Sequence, residues 1–223
     1  MVMSHIGPKD YCEWKSFDRL YQKIRIKEVI KNIKGKSVLE LGCQYGHILS
    51  RIQKEKGITS IVGVDIDKKA IKIARALHPG MTFINQDIMQ YNPKIKFDKV
   101  ILPEIVEHLE FPDVILKKAQ ALARYRIIIT VPNKEKFACD RNKLKETIHY
   151  QIFDETRLRR MLCRNLKFKR LKIIPVAKDT IFQRNQLLKR IAGRILYYLN
   201  LDNIVKLKAN SLNSMFLVAV IDL

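Results

Sequence analysis

The sequence predicts an α/β protein built on an open, doubly wound sheet. Two observations carry that prediction. Apolar runs of strand length alternate with helical periodicities over most of the chain, the order that produces parallel βαβ units. One of those junctions, Val38–Ile52 (VLELGCQYGHILSRI), reads as a buried strand, a glycine-bounded turn and a helix start. Such a junction holds nucleotide-like ligands at the carboxyl edge of an open sheet. Gly42 permits the turn, and Gly46 is expected to let the helix approach a ligand without a Cβ in the way.

The elements follow in order. Residues through Asp10 read as an arm, and Glu13–Ile33 as a basic amphipathic helix with Phe17, Leu20, Tyr21, Ile24, Val29, Ile30 and Ile33 on its apolar face. Lys34-Gly35-Lys36 ends it. Beyond Ile52, Ile61–Val64 is a strand closed by Asp65, and Lys68–Leu77 is a helix stopped at His78-Pro79-Gly80. Asp67 is the N-cap of that helix. Met81–Ile84 is a third strand ending at Asp87, and Phe97–Leu102 a fourth, followed by the acidic stretch Pro103–Glu110. Asp113–Ala123 is a helix and Arg126–Val131 a fifth strand, stopped by Pro132. Asn133–Tyr150 is polar and loop-rich. Glu155–Cys163 is a helix, Phe168–Val176 a sixth strand, and Ser214–Ile221 a last one. Ile181–Lys208 is basic and amphipathic, with Leu187, Leu188, Ile191, Ile195, Leu196 and Leu199 at helical spacing. The division is an N-terminal arm and helix (1–34), a core (35–176), a basic helical insertion (177–210) and the core's last strand (211–223).

Composition bounds the rest. A 223-residue chain with 47% hydrophobic residues sustains one full core. Cys12, Cys43, Cys139 and Cys163 lie far apart, with no pair at zinc or redox spacing, and read as reduced thiols of a cytoplasmic protein. The longest apolar run, Met215–Ile221, is too short for a membrane span. The net charge of +21 attracts anions. Between Arg141 and Asn210 there are 18 Lys/Arg against five Asp/Glu, so most of the excess lies late in the chain.

The strand ending Glu40-Leu41-Gly42-Cys43-Gln44-Tyr45-Gly46, with Asp65 after the second strand and Asp87 after the third, resembles the class I S-adenosylmethionine-dependent methyltransferases. Within them it resembles the general branch of the ubiquinone-biosynthesis O-methyltransferases. The G-x-G-x-x-G of nicotinamide-binding domains is absent. The resemblance implies a Rossmann-like, seven-stranded, mostly parallel sheet with helices on both faces and an antiparallel last strand. It implies S-adenosyl-L-methionine as cofactor. Asp65 would accept the ribose hydroxyls, Asp87 the adenine amine, and Ile66 and Ile88 would flank the ring. The backbone from Gly42 through Cys43 to Gly46 would pack on the methionine moiety, Glu40 would hold that loop or the ammonium group, and Pro103 would be a further cofactor-binding residue. Many relatives carry glycine where this chain has Gln44, and a K-P-G-G turn where it reads Ala121–Arg126.

Pro103-Glu104-Ile105-Val106-Glu107-His108-Leu109 sets two carboxyls and an imidazole beside the methyl donor. His108 or His149, with Glu107, is the expected proton acceptor; alternatively Glu104, Glu107, His108 and His149 hold Mg²⁺ or Mn²⁺. The acid–histidine segment is similar to two branches, the O-methyltransferases above and the small-RNA 3′-end 2′-O-methyltransferases, but the RNA branch's richer histidine cluster is missing. The expected reaction is therefore methylation of a hydroxyl on a small or lipid-like acceptor. RNA ribose methylation is the alternative, and a non-catalytic binding module the alternative of another class. The basic helix 181–208 is read as a lid, as an anchor on an anionic membrane surface, or as an arm on RNA phosphates.

Overall fold

The computed structural model describes residues 20–55, 57–133, 150–178 and 214–223. The elements are α1 (Leu20–Lys31), β1 (Ser37–Leu41), α2 (His47–Ile52), β2 (Ser60–Asp65), α3 (Lys68–Leu77), β3 (Thr82–Asn85), β4 (Phe97–Pro103), a single 3₁₀ turn (Val106–His108), α4 (Pro112–Leu122), β5 (Ala123–Pro132), α5 (Glu155–Asn165), β6 (Arg170–Lys178) and β7 (Ser214–Asp222). Seven strands form one sheet in the order β3-β2-β1-β4-β5-β7-β6. Pairs from β3 through β5 are parallel, and β7 runs antiparallel between β5 and β6. The doubly wound sheet with an antiparallel last strand is the fold expected from the sequence.

Strand periodicity explains the two cores. Alternate residues point to opposite faces, so Leu39, Leu41, Ile127 and Ile129 meet α4 and α5 through Ile115, Leu116, Leu158 and Leu162. Val38, Ile101, Ile128 and Val218 meet α1, α2 and α3 on the other face. Nearly all of these side chains are fully buried, and each contributes about 1.5–3 kcal/mol by leaving water.

Two expectations need correction. The helical face of α1 is rotated: Ile26, Val29 and Ile33 are buried, Ile24 and Ile30 are half-buried, and Arg25 takes a place inside at 3% exposure. Sequence pattern assigns an arginine to the outer face, whereas here it has buried polar partners. The expected turn at Ala121–Arg126 does not form. Helix α4 ends at Leu122, Ala123 already has extended dihedrals (φ −84°, ψ 140°), and β5 begins there. No glycine is needed, because Ala123 turns the chain from helix to strand with ordinary extended dihedrals and pairs with Phe97 at the start of β4. Trp14, Phe17, His149 and the basic helix 181–208 lie outside the described residues. Among those described, no helix is long and apolar enough to cross a membrane.

Candidate functional site

The loop after β1 contains three left-handed residues, Gly42 (φ 81°), Gln44 (φ 44°) and Gly46 (φ 72°). L side chains disfavour that region, which accounts for the glycine that relatives carry at the position of Gln44. The loop is pinned to the end of β2. The Gly42 and Cys43 amides both donate to the Val64 carbonyl, at 2.8 and 3.1 Å. The Gln44 amide donates to Asp65 Oδ2 at 2.8 Å, and the Asp67 amide to Oδ1 at 2.9 Å. Asp65 thus clamps two loops. A carboxylate has about four acceptor positions, so this one keeps capacity for two ribose hydroxyls. Burial raises the Asp65 carboxyl, and the Asp67 and Gln44 amides oppose that rise.

Asn85 extends the lacing. Its Nδ2 donates to the Asp65 and Ile66 carbonyls at 3.1 and 2.8 Å, and the Gln86 amide joins it on Asp65. The sequence drew attention to Asp87 but not to Asn85, whose place at the end of β3 was the available signal. Asp87 Oδ1 accepts the Met89 amide at 2.8 Å, which fixes its turn. Ile66 is 43% exposed, as a side chain flanking an adenine ring would be. Ile88 and Pro103 are half-buried, Ile88 against the core. Asp67 caps α3 through the Lys69 and Ala70 amides, as expected.

Gly46 and Cys43 also pack against the protein itself. A Cβ on Gly46 would lie 2.6 Å from the Phe83 ring and 3.2 Å from His78, so its missing side chain makes room within the protein rather than for a ligand. Cys43 is turned inward, its Sγ 2.7 Å from where a Cβ on Gly63 would stand, and burial pushes its thiol far up. Only its main chain is available to a ligand. Gly42 is the glycine at the working edge: its Cβ would fall 2.1 Å from Ile105 Cδ1. The turn after β4 therefore lies directly on the glycine loop.

That turn completes a buried polar knot. Arg25 Nη1 donates to Thr130 Oγ1 at 2.7 Å and stands 3.6 Å from Glu104 Oε1, while Nε donates to Gln22 at 2.9 Å. Glu104 takes a left-handed φ of 56°, and its amide donates to the Thr130 carbonyl at 2.9 Å. Glu40 and Glu107 are 2% and 1% exposed. Burial raises both carboxyls well above the ordinary range; Arg25 opposes this, while Asp65 adds to the rise at Glu40 and Glu104 to that at Glu107. His108 Nε2 lies 4.0 Å from Glu107 Oε1. The structure thus brings Glu104, Glu107 and His108 into one turn beside Glu40. Among the described residues no three His, Cys, Asp or Glu side chains are grouped as a metal site.

Comparison with known proteins agrees with this geometry. A family model described as methionine biosynthesis protein MetW matches residues 22–173. The ubiquinone biosynthesis O-methyltransferase of Pelagibacter ubique (strain HTCC1062) is 27% identical over 124 residues, 53% of this chain and 50% of that protein. The chain spans about half the length of that curated relative, and 28% of a putative methyltransferase of Invertebrate iridescent virus 6. A SAM-dependent methyltransferase from Archaeoglobus fulgidus superposes with a TM-score of 0.66 at 20% identity, over 97% of this chain and 100% of its own. The plantazolicin methyltransferase BpumL, solved in complex with SAH, gives 0.66 at 15% identity over 97% and 91%. Since the family match runs from α1 into β6 and takes in each site residue described above, the chain belongs to the MetW family and has the fold of the class I S-adenosylmethionine-dependent methyltransferases.

Proposed function

We propose that this chain is an S-adenosylmethionine-dependent methyltransferase acting on a hydroxyl oxygen of a small or lipid-like acceptor. The carrying observation is the clamp on Asp65: a buried carboxyl at the sheet edge that orders the glycine loop and retains acceptor capacity. The residues fit the cofactor in other respects, since Glu40 Oε2 is buried without a hydrogen-bond donor and Ile66 is exposed beside Asp65. Bound there, the cofactor supplies an electrophilic methyl group. Asp65 would bind the ribose, Asp87 the adenine amine, the Gly42–Gly46 backbone the methionine moiety, and Glu40 its ammonium group.

The chain's own contribution is alignment and removal of the acceptor's proton. We assign that proton to His108, beside Glu107, or alternatively to His149, which lies outside the described residues. Among the described residues no three His, Cys, Asp or Glu side chains are grouped as a metal site, so no step is assigned to a divalent ion. Exposed Phe111, Val114, Tyr150 and Ile152 favour a lipid-like acceptor. Phe111 and Val114 follow the acidic turn in sequence, and the Gln151 amide, between Tyr150 and Ile152, donates to the Glu107 carbonyl at 3.0 Å. Methyl transfer from labelled cofactor to a panel of phenols and long-chain alcohols tests the proposal. Transfer lost in His108→Ala with cofactor binding retained is the expected result; transfer unchanged in that variant would overturn the role of His108.

A further inference from the structure

Three carboxyl groups, on Glu40, Glu104 and Glu107, surround one guanidinium, on Arg25. The guanidinium is already committed to Thr130 and Gln22 and sits 5.4 Å above the Phe216 ring. Glu40 Oε2, Glu104 Oε1 and both Glu107 oxygens are buried without a hydrogen-bond donor. Among the described residues, carboxyls thus outnumber cations in a site where such groups are ordinarily paired. The excess borders the donor loop, because Ile105 lies against Gly42 between Glu104 and Val106.

We propose that the Glu104 carboxylate makes the site selective for a sulfonium cation over the neutral thioether left after transfer. The inference rests on the cofactor reading above and assigns it a charge-sensing residue. Donor and product share nucleoside and amino-acid groups, and differ by one methyl group and one positive charge. Contacts from Asp65, Asp87 and the glycine loop act equally on both and cancel in the ratio of their affinities. A carboxylate near the sulfur does not cancel. Glu104 is the group best placed for this: its side chain is 25% exposed, whereas Glu107 is closed off at 2%. It takes a left-handed φ of 56°, and Arg25 stands 3.6 Å from one of its oxygens. Selectivity of this kind would also favour release of the product.

The test is calorimetric titration of S-adenosylmethionine and S-adenosylhomocysteine into the full chain, as wild type, Glu104→Gln and Glu104→Asp. One unit charge removed at side-chain distance, at the effective dielectric of a half-wet site, corresponds to about a tenfold change. We expect the product-to-donor ratio of Kd values to fall about tenfold in Glu104→Gln. The loss should lie in the donor's affinity, with the product's unchanged within about twofold, and Glu104→Asp should restore most of the ratio. A ratio unchanged in Glu104→Gln, both ligands binding, would overturn the proposal alone. Failure of the folded wild type to bind either ligand would remove the cofactor reading and this inference with it.

Discussion

Gly42→Ala is the substitution whose cost can be worked most directly from the structure. An alanine at φ 81° pays the left-handed penalty, about 1–2 kcal/mol for a residue with a Cβ. The new methyl would also stand 2.1 Å from Ile105 Cδ1 and 2.7 Å from Cγ1. Ile105 must swing away, and overpacking of this kind costs about 1–3 kcal/mol. Together these give about 2–5 kcal/mol, which lowers Tm by about 5–15 °C for a domain of this size. The displaced Ile105 carries Glu104 and Val106 with it, so cofactor affinity should fall in parallel. Thermal unfolding of Gly42→Ala, Ile105→Ala and the double variant separates the two terms. The double variant should recover the overpacking part and keep the backbone part, a favourable coupling of about 1–3 kcal/mol. A Gly42→Ala protein with unchanged Tm, or a strictly additive cycle, would refute the packing of the acidic turn on the glycine loop.

Other predictions follow from the same geometry. Folding raises the Glu40 and Glu107 carboxyls above their ordinary value of 4.5, so the native state binds protons that the unfolded chain has released; stability is full below that value and is lost as pH rises through the window above it. Scanning fluorimetry from about pH 5 to about pH 9 should show a falling Tm, with a shallower slope in Glu107→Gln; an equal slope in that variant would exclude Glu107 as a source. Amides and Arg124 hold the Asp98 carboxyl below its ordinary range, so Asp98→Asn should lessen the loss of stability as pH falls below 3.8. Asn85→Ala removes both carbonyl contacts that lace β3 to β2, and should weaken cofactor binding severalfold while costing about 1–2 kcal/mol of stability, read by calorimetry and denaturant unfolding.

What the sequence made legible was periodicity and punctuation. Val38–Leu41, Ile61–Asp65 and Arg126–Val131 are strands because β-branched and apolar residues run at strand length between glycine and acid stops, and the observed ladders fall on them. Asp65 and Asp87 were found because acids at strand ends stand out against such runs. The remainder depended on long-range contacts. Arg25 reads as surface on its helix, and only Thr130 and Glu104, distant in sequence, make an interior place for it. The inward turn of the Cys43 side chain and the space that Gly46 leaves for Phe83 and His78 depend on residues distant in sequence. The left-handed backbone at Gln44 and Glu104 has no signature in residue type, since both normally avoid it. Left-handed backbone at non-glycine residues, here in the glycine loop and in the turn after β4, is common where function fixes the backbone.

The measurement that bears most directly on the cofactor site is calorimetric titration of S-adenosylmethionine into the wild type and Asp65→Ala, each with and without Mg²⁺. We expect saturable binding by the wild type, and a loss of at least about tenfold in Asp65→Ala, which removes both the ribose acceptor and the clamp on Gln44 and Asp67. Binding that is equally tight in Asp65→Ala, or absent from a folded wild type, would contradict the placement of the cofactor at this edge of the sheet.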